Sequence, residues 1–100
     1  MLRHVLLLKL KEGVGTDEIK ALDAAFRHLI AEIPAVAEGH VGPALRLPGS
    51  SGLPADYAVT LDFLTPADFS AYIADPRHQK FVRETLSPLR ESGWSAQIEL

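Results

Sequence analysis

Residues 57–69 read YAVTLDFLTPADF and predict a strand followed directly by a helix. Within 57–64, large apolar residues alternate with smaller or polar ones, which is the period-two pattern of a half-buried strand. Thr65 is suited to cap a helix, with Pro66 at its first position and Asp68 at the capping-box position. The stretch therefore predicts a change from extended to helical backbone between residues 64 and 65.

The helix that begins here is interrupted within AYIADPRHQKF, residues 71–81. Proline disfavours a helical backbone at the residue before it, so Asp75 predicts a stop. Asp75 can then cap a new helix with Pro76 at its first position. Pro88 and Gly93 are expected to end this second helix.

Three further segments complete the predicted sheet. RHVLLLKLK, residues 3–11, is typical of a strand, and residues 36–47 predict a weaker one because glycine and proline interrupt it. WSAQIEL, residues 94–100, predicts the closing strand. The serine-, glycine- and proline-rich segment 48–56 predicts a surface loop.

An amphipathic helix is expected between the first two strands. Thr16 is predicted as its N-cap, acidic residues follow in the first turn, and Pro34 ends it. Apolar residues recur at spacings of three and four, at Ile19, Leu22, Phe26, Leu29 and Ile33.

The resulting order over residues 1–100 predicts one α+β domain of the ferredoxin-like βαββαβ type, a four-stranded antiparallel sheet with helices on one face. On the uncovered face we expect Val5 and Leu7 beside alternate residues of the third strand, or the opposite sets if the strands face the other way. Such a face is too apolar for water. A second copy of the chain is its expected cover, giving a homodimeric α/β barrel.

Composition excludes several classes of function. The 100 residues are 47% hydrophobic and 23% charged, as in globular rather than disordered chains. A net charge of −3 without a Lys/Arg cluster argues against nucleic acid as a partner. The chain has no cysteine, which is compatible with a cytoplasmic location, and no apolar run of membrane-spanning length, so no membrane association is expected.

Four segments carry a family resemblance: RHVLLLKLKEG at 3–13, IPAV at 33–36, DYAVTLDF at 56–63 and the segment 71–81. Together they resemble the stress-responsive dimeric α/β-barrel (Dabb) family, and within it the olivetolic acid cyclase-like proteins. The resemblance covers nearly the whole chain and implies a homodimer of ferredoxin-like subunits.

The resemblance also implies roles for individual residues. It makes His78 a general base and Tyr72 its polar partner beside a substrate carbonyl. A ligand pocket would be lined by His4, Phe26, Tyr57 and Phe81. Phe26 stands where the cyclase has a tyrosine, and Tyr57 where many relatives have a histidine, so the substrate is left open.

The residues themselves allow this chemistry without requiring it. His78 falls in the first turn of a helix, whose positive end disfavours the imidazolium form. A neutral imidazole can accept a proton while a tyrosine hydroxyl stabilises developing charge on oxygen. Equally, His78 could bond the backbone at the helix joint while Tyr72 packs in the core. His4 shares a strand face with leucines, where core histidines are commoner than ligands.

The sequence leaves three functions open. The first is binding of a small apolar carbonyl compound near Tyr72 and His78, with or without cofactor-free cyclase- or aldol-type acid–base chemistry. The second is a non-catalytic structural or stress-associated dimer, and the third is a cofactor-free monooxygenase. Because the chain has no nucleotide-binding fingerprint and no metal-ligand spacing, no cofactor or metal is expected.

Overall fold

The computed structural model describes residues 1–50, 52 and 54–100. Helices and strands follow the predicted order, and a π-helical turn, Val82–Leu86, extends the last helix. The elements are β1 Leu2–Leu10, α1 Thr16–Glu32, β2 Glu38–Pro43, β3 Tyr57–Phe63, α2 Pro66–Ala74, α3 Pro76–Phe81 and β4 Arg90–Glu99. The loop predicted over 48–56 includes residues 51 and 53, which lie outside the described residues.

The four strands form one antiparallel sheet in the order β2-β3-β1-β4. β1 is central, and its His4 pairs with Leu61 of β3 on one side and with Gln97 of β4 on the other. β4 begins at Arg90, so the expectation that Gly93 ends the preceding helix is wrong. Gly93 instead opposes Leu8 within the sheet, where a Cβ would lie 3.1 Å from Leu8 Cδ2.

Helices cover one face of the sheet and form the core with it. Their buried partners on the strands are alternate residues, as the period-two pattern predicts. The core comprises Leu8, Leu10, Leu22, Phe26, Leu29, Ile33, Tyr57, Val59, Leu61, Phe63, Tyr72, Phe81 and Leu86. The N-cap of α1 is Gly15 rather than the expected Thr16, and the Gly15 backbone N–H donates to Glu18 Oε1 at 3.2 Å. None of the helices formed by the described residues combines the length and apolar composition needed to cross a bilayer.

The other face of the sheet, which we call the open face, has two different halves. One half is apolar, with Val5 and Leu7 partly exposed and Trp94 and Ile98 exposed. In the other half, Arg3 makes a two-point ion pair with Asp62, at 2.8 and 2.9 Å. This hydrogen bonding to Arg3 holds the pKa of Asp62 below its usual range.

The break between α2 and α3 is held by a compact set of hydrogen bonds. The Asp75 carboxylate accepts from the Arg77 backbone N–H at 2.8 Å and from the Arg77 guanidinium at 2.8 and 3.0 Å. These bonds lower the pKa of Asp75 to about 2. Arg77 also donates to the backbone carbonyl of Glu32 at 2.6 Å, which ties the break to the end of α1.

A π-helical turn ends the last helix. The Ser87 N–H donates to the Val82 carbonyl at 2.8 Å, five residues back. Pro88 has no N–H, and in a continued α-helix its ring would meet the carbonyl of Glu84. We attribute the wider last turn to this conflict. Such π-turns occur disproportionately at functional sites.

Candidate active site

Tyr72 and His78 meet across the break between α2 and α3. The Tyr72 side chain is buried at 3% exposure, and its ring centroid lies 4.4 Å from that of His78 with a tilt of 49°. On the other side, Phe63 of β3 lies 5.5 Å from the Tyr72 ring. The two predicted catalytic residues are therefore in contact through their rings, rather than through a hydroxyl–imidazole hydrogen bond.

The Tyr72 hydroxyl is available to a ligand. It makes no hydrogen bond to any described residue. In the described part of the chain, however, every side-chain nitrogen or oxygen that is fully buried has a hydrogen-bond partner. The hydroxyl must therefore reach solvent. Burial of the ring raises the pKa of Tyr72 well above its ordinary value, so the group stays a neutral phenol. It can donate a hydrogen bond but cannot serve as a base.

His78 has the complementary property. Its Nδ1 lies 3.2 Å from the Ile73 carbonyl, which can only accept, so Nδ1 carries the hydrogen. In a neutral ring this leaves a lone pair on Nε2, which has no partner among the described residues. The pKa of His78 is lowered, chiefly by burial and further by its proximity to the His4 imidazole, against the opposing effect of the Ile73 bond. His78 is thus a neutral base near pH 7.

His4 joins the same group from the sheet. Its Nδ1 lies 2.7 Å from Gln97 Oε1, and its ring centroid lies 5.1 Å from Phe69 of α2. Phe69 in turn makes an edge-to-face contact with Phe63 at 5.5 Å. We call this set the histidine–aromatic cluster; its members are His4, Phe63, Phe69, Tyr72 and His78.

One groove borders the cluster at His78, and another lies further along the sheet. The latter, of about 420 Å³, is lined by Leu6 and by residues 90–95 at the start of β4; it contains no member of the cluster and lies one residue pair along from His4 and Gln97. A second groove of about 400 Å³ is lined by Ile73, His78, Gln79, Val82, Arg83 and Ser87. A third groove of about 470 Å³ lies at the far end of β1 and contains neither histidine nor aromatic residues.

The other predicted pocket residues form a separate aromatic group inside the core. Phe26 stacks on Tyr57 with ring centroids 5.9 Å apart and contacts Phe81 at 4.5 Å. The Tyr57 hydroxyl donates to Asp23, and burial raises its pKa. These three side chains are 8% exposed or less, so the structure brings His4, Tyr72 and His78 together and packs Phe26, Tyr57 and Phe81 into the core.

Residues outside the sequence prediction complete the cluster. Phe69 lies three residues before Tyr72, so the helical repeat could have identified it. Gln97 could be found only from the register that sets it opposite His4. The remaining histidines are at the surface, where His28 pairs with Glu32 at 3.0 Å and His40 with Glu38 at 3.2 Å. Over 1–50, 52 and 54–100, no three His, Asp or Glu side chains are grouped as metal ligands would be.

The fold and cluster define a class: a ferredoxin-like α+β protein with a histidine–aromatic cluster between helices and sheet. The sequence model of the Stress responsive A/B Barrel Domain family (Dabb) matches residues 2–98. The chain belongs to this family. No curated protein matches it.

Solved structures agree with this assignment. A dimeric ferredoxin-like protein of unknown function from Thermobifida fusca is 26% identical; the match covers 99% of this chain and 90% of that chain, with a TM-score of 0.84. A Dabb family protein from Mesorhizobium loti is 19% identical over 99% and 95% of the two chains, with a TM-score of 0.85. A hydroxynitrile lyase from Passiflora edulis is 20% identical over 99% and 92%, with a TM-score of 0.86.

Proposed function

We propose that this protein binds a small apolar carbonyl compound at the histidine–aromatic cluster and transfers protons on it without a cofactor. One observation carries the proposal. A neutral imidazole with a free Nε2 and a phenol with a free hydroxyl lie side by side, in ring contact at 4.4 Å. Together they supply a proton acceptor and a hydrogen-bond donor.

The reaction class follows from these two groups. In cleavage of a β-hydroxy ketone, His78 Nε2 takes the hydroxyl proton, the bond between the two carbons breaks, and an aldehyde and an enolate form. Tyr72 donates a hydrogen bond to the enolate oxygen. The imidazolium then returns its proton to the enolate carbon, so protons and charge balance. The reverse sequence is an aldol addition, the step that a cyclase uses.

A related reaction has the same requirements. One structural neighbour is named a hydroxynitrile lyase. In cyanohydrin cleavage His78 would take the hydroxyl proton, cyanide would leave, and the imidazolium would protonate it to hydrogen cyanide. Both reactions begin with the same proton transfer and differ only in the carbon leaving group, which is an enolate in one and cyanide in the other.

We further propose that two copies of the chain pair through the open face. Its apolar half, with Trp94 and Ile98 at 41% and 50% exposure, is a surface of the kind that protein contacts cover. Relatives such as the Thermobifida fusca protein are described as dimeric. The histidine–aromatic cluster lies on the opposite, helical face, so pairing would leave the groove beside His78 accessible. A cysteine-free chain suits a reducing compartment, and we propose the cytoplasm.

The function can be tested with two probes that release the same product. Cleavage of 4-hydroxy-4-phenylbutan-2-one and of mandelonitrile both yield benzaldehyde, which is followed by its ultraviolet absorbance. We expect the wild-type protein to accelerate at least one cleavage, and His78→Gln to lower that rate by about 10²-fold or more. His28→Gln, at an exposed histidine, is the matched control and should leave the rate unchanged. Wild-type protein that cleaves neither probe would contradict the proposal and leave a non-catalytic dimer as the better account.

A further inference from the structure

We propose that Gln97 is a positioning residue that holds His4 in one tautomer, so that His4 Nε2 becomes a second acceptor in the site. The inference rests on the proposed function for its catalytic meaning. Its structural part concerns only the hydrogen bond between these two side chains.

The geometry of the pair fixes where the hydrogen lies. His4 and Gln97 are register partners on adjacent strands, and both face the helical side of the sheet. The Gln97 atom that faces Nδ1 is the amide oxygen, at 2.7 Å. An amide oxygen only accepts, so Nδ1 carries the hydrogen and a neutral ring keeps its lone pair on Nε2.

That lone pair is open to a ligand. His4 is 8% exposed, and its Nε2 has no partner among the described residues. Because the described residues contain no buried side-chain nitrogen or oxygen without a partner, this nitrogen reaches solvent. The His4 ring contacts Phe69, Phe69 contacts Phe63, and Phe63 contacts Tyr72, so His4 belongs to the same group of packed rings as Tyr72.

The cluster then contains two acceptors and one donor. Both imidazoles have Nδ1 engaged, one by Gln97 and one by the Ile73 carbonyl, and both leave Nε2 free. The Tyr72 hydroxyl is the donor. This set matches a carbonyl compound that also carries hydroxyl groups: its carbonyl oxygen accepts from Tyr72, one hydroxyl faces His78, and a second donates to His4. An otherwise apolar ketone that carries two hydroxyl groups, one of which can be that of an enol, is the class that uses all three groups.

Gln97 can be tested by nitrogen NMR on the intact protein without a ligand. Long-range ¹H–¹⁵N spectra of histidine-labelled protein distinguish the protonated from the bare ring nitrogen, and a His4→Gln spectrum assigns the signals. We expect wild-type His4 to be protonated at Nδ1 and bare at Nε2. Gln97→Leu should populate the opposite tautomer, whereas Gln97→Glu, whose carboxylate also only accepts, should preserve the hydrogen on Nδ1. Gln79→Leu, at the exposed glutamine of α3, should leave the His4 tautomer unchanged.

Activity supplies an independent readout with a probe that carries a second hydroxyl. Cleavage of 4-hydroxy-4-(2-hydroxyphenyl)butan-2-one releases salicylaldehyde; Gln97→Leu is expected to lower this rate by about tenfold, as for other residues that orient a functional histidine, and Gln97→Glu to restore most of it. Wild-type His4 protonated at Nε2, or a tautomer unchanged in Gln97→Leu, would overturn the assignment. If the wild-type protein cleaves neither probe, the proposed function fails, while the spectra still decide whether Gln97 holds His4.

Discussion

The rings of Tyr72 and His78 lie 4.4 Å apart although they belong to different helices. In one continuous helix, residues six positions apart would lie about 120° apart around the axis and about 9 Å apart along it, too far for their rings to stack this closely. The stop at Asp75 and the restart at Pro76 turn the second helix so that His78 faces back to the Tyr72 ring. Arg77 fixes that turn by bonding both Asp75 and the end of α1. The break between α2 and α3 thus ends one helix and also brings the two candidate site residues into contact.

The two tyrosines of the chain provide a matched pair of variants. Tyr72 and Tyr57 both have buried rings, but among the described residues only the Tyr57 hydroxyl has a hydrogen-bond partner, Asp23. We expect Tyr72→Phe to lower probe cleavage by about 10²-fold, because it removes the donor to developing negative charge. Its free energy of unfolding should change by less than about 0.5 kcal/mol.

Tyr57→Phe should show the reverse behaviour. It removes a hydrogen bond to a carboxylate and should destabilise the fold by about 1 kcal/mol, with probe cleavage unchanged. Urea unfolding and benzaldehyde release measure the two effects in each variant. Loss of activity in both variants, or in neither, would contradict the separate roles of the two hydroxyls.

The lowered pKa of His78 predicts how stability depends on pH. Below the ordinary value of 6.5, the unfolded chain takes up a proton at this residue that the folded protein does not. The free energy of unfolding should therefore fall as pH drops through 6.5, until the folded protein also protonates. His78→Gln should remove this part of the decline, whereas His28→Gln should retain it. Unfolding curves from pH 7.5 to 5 test this, and equal slopes in wild-type and His78→Gln protein would count against the burial of the ring.

Pairing through the open face predicts a surface variant that separates the copies. Leu7 lies in the apolar half of that face, and Leu7→Lys would place a charge at the contact. We expect sedimentation velocity to show dimers for the wild-type protein and monomers for Leu7→Lys. The control is Ile73→Lys, a change at an exposed apolar residue on the helical side, which should remain dimeric. A wild-type monomer would refute the pairing.

Two glycines of β2 predict opposite responses to the same change. A Cβ on Gly39 would lie 2.8 Å from Leu61 Cδ2 and 3.0 Å from Ile30 Cδ1, whereas a Cβ on Gly42 meets nothing within 4 Å. Gly39→Ala should therefore destabilise the protein by about 1–2 kcal/mol. Gly42→Ala should stay within about 0.5 kcal/mol of wild type. Thermal unfolding compares the two variants. Equal losses of stability would show that the packing of β2 against α1 is looser than the distances at Gly39 indicate.

Much of the fold could be predicted from local sequence signals. The cap at Thr65, the break at Asp75 and the apolar stripe of α1 each depend on residues close in sequence. The structure has all three at the predicted positions. The prediction that Gly93 ends a helix is wrong because glycine occurs both at helix ends and where two strands approach closely. Only the pairing with Leu8 distinguishes the two roles, and that pairing is not local.

The site was less predictable for the same reason. Tyr72 and His78 lie close in sequence, and a break between them can be inferred from proline. The hydrogen bond between His4 and Gln97 joins residues 93 positions apart, so no local spacing in the sequence could predict it. Which ring nitrogen of a histidine keeps its lone pair likewise depends on the acceptor that the other nitrogen faces. For His78 this acceptor is the Ile73 carbonyl, which faces Nδ1 and leaves Nε2 free.

Proton abstraction by His78 is the central claim, and isotope exchange measures it most directly. Incubated in D₂O with acetophenone, the wild-type protein should exchange the methyl protons for deuterium faster than buffer does, as followed by proton NMR. His78→Gln should exchange them about 10²-fold more slowly, because it lacks the Nε2 base. Exchange at equal rates in the two proteins would contradict the account.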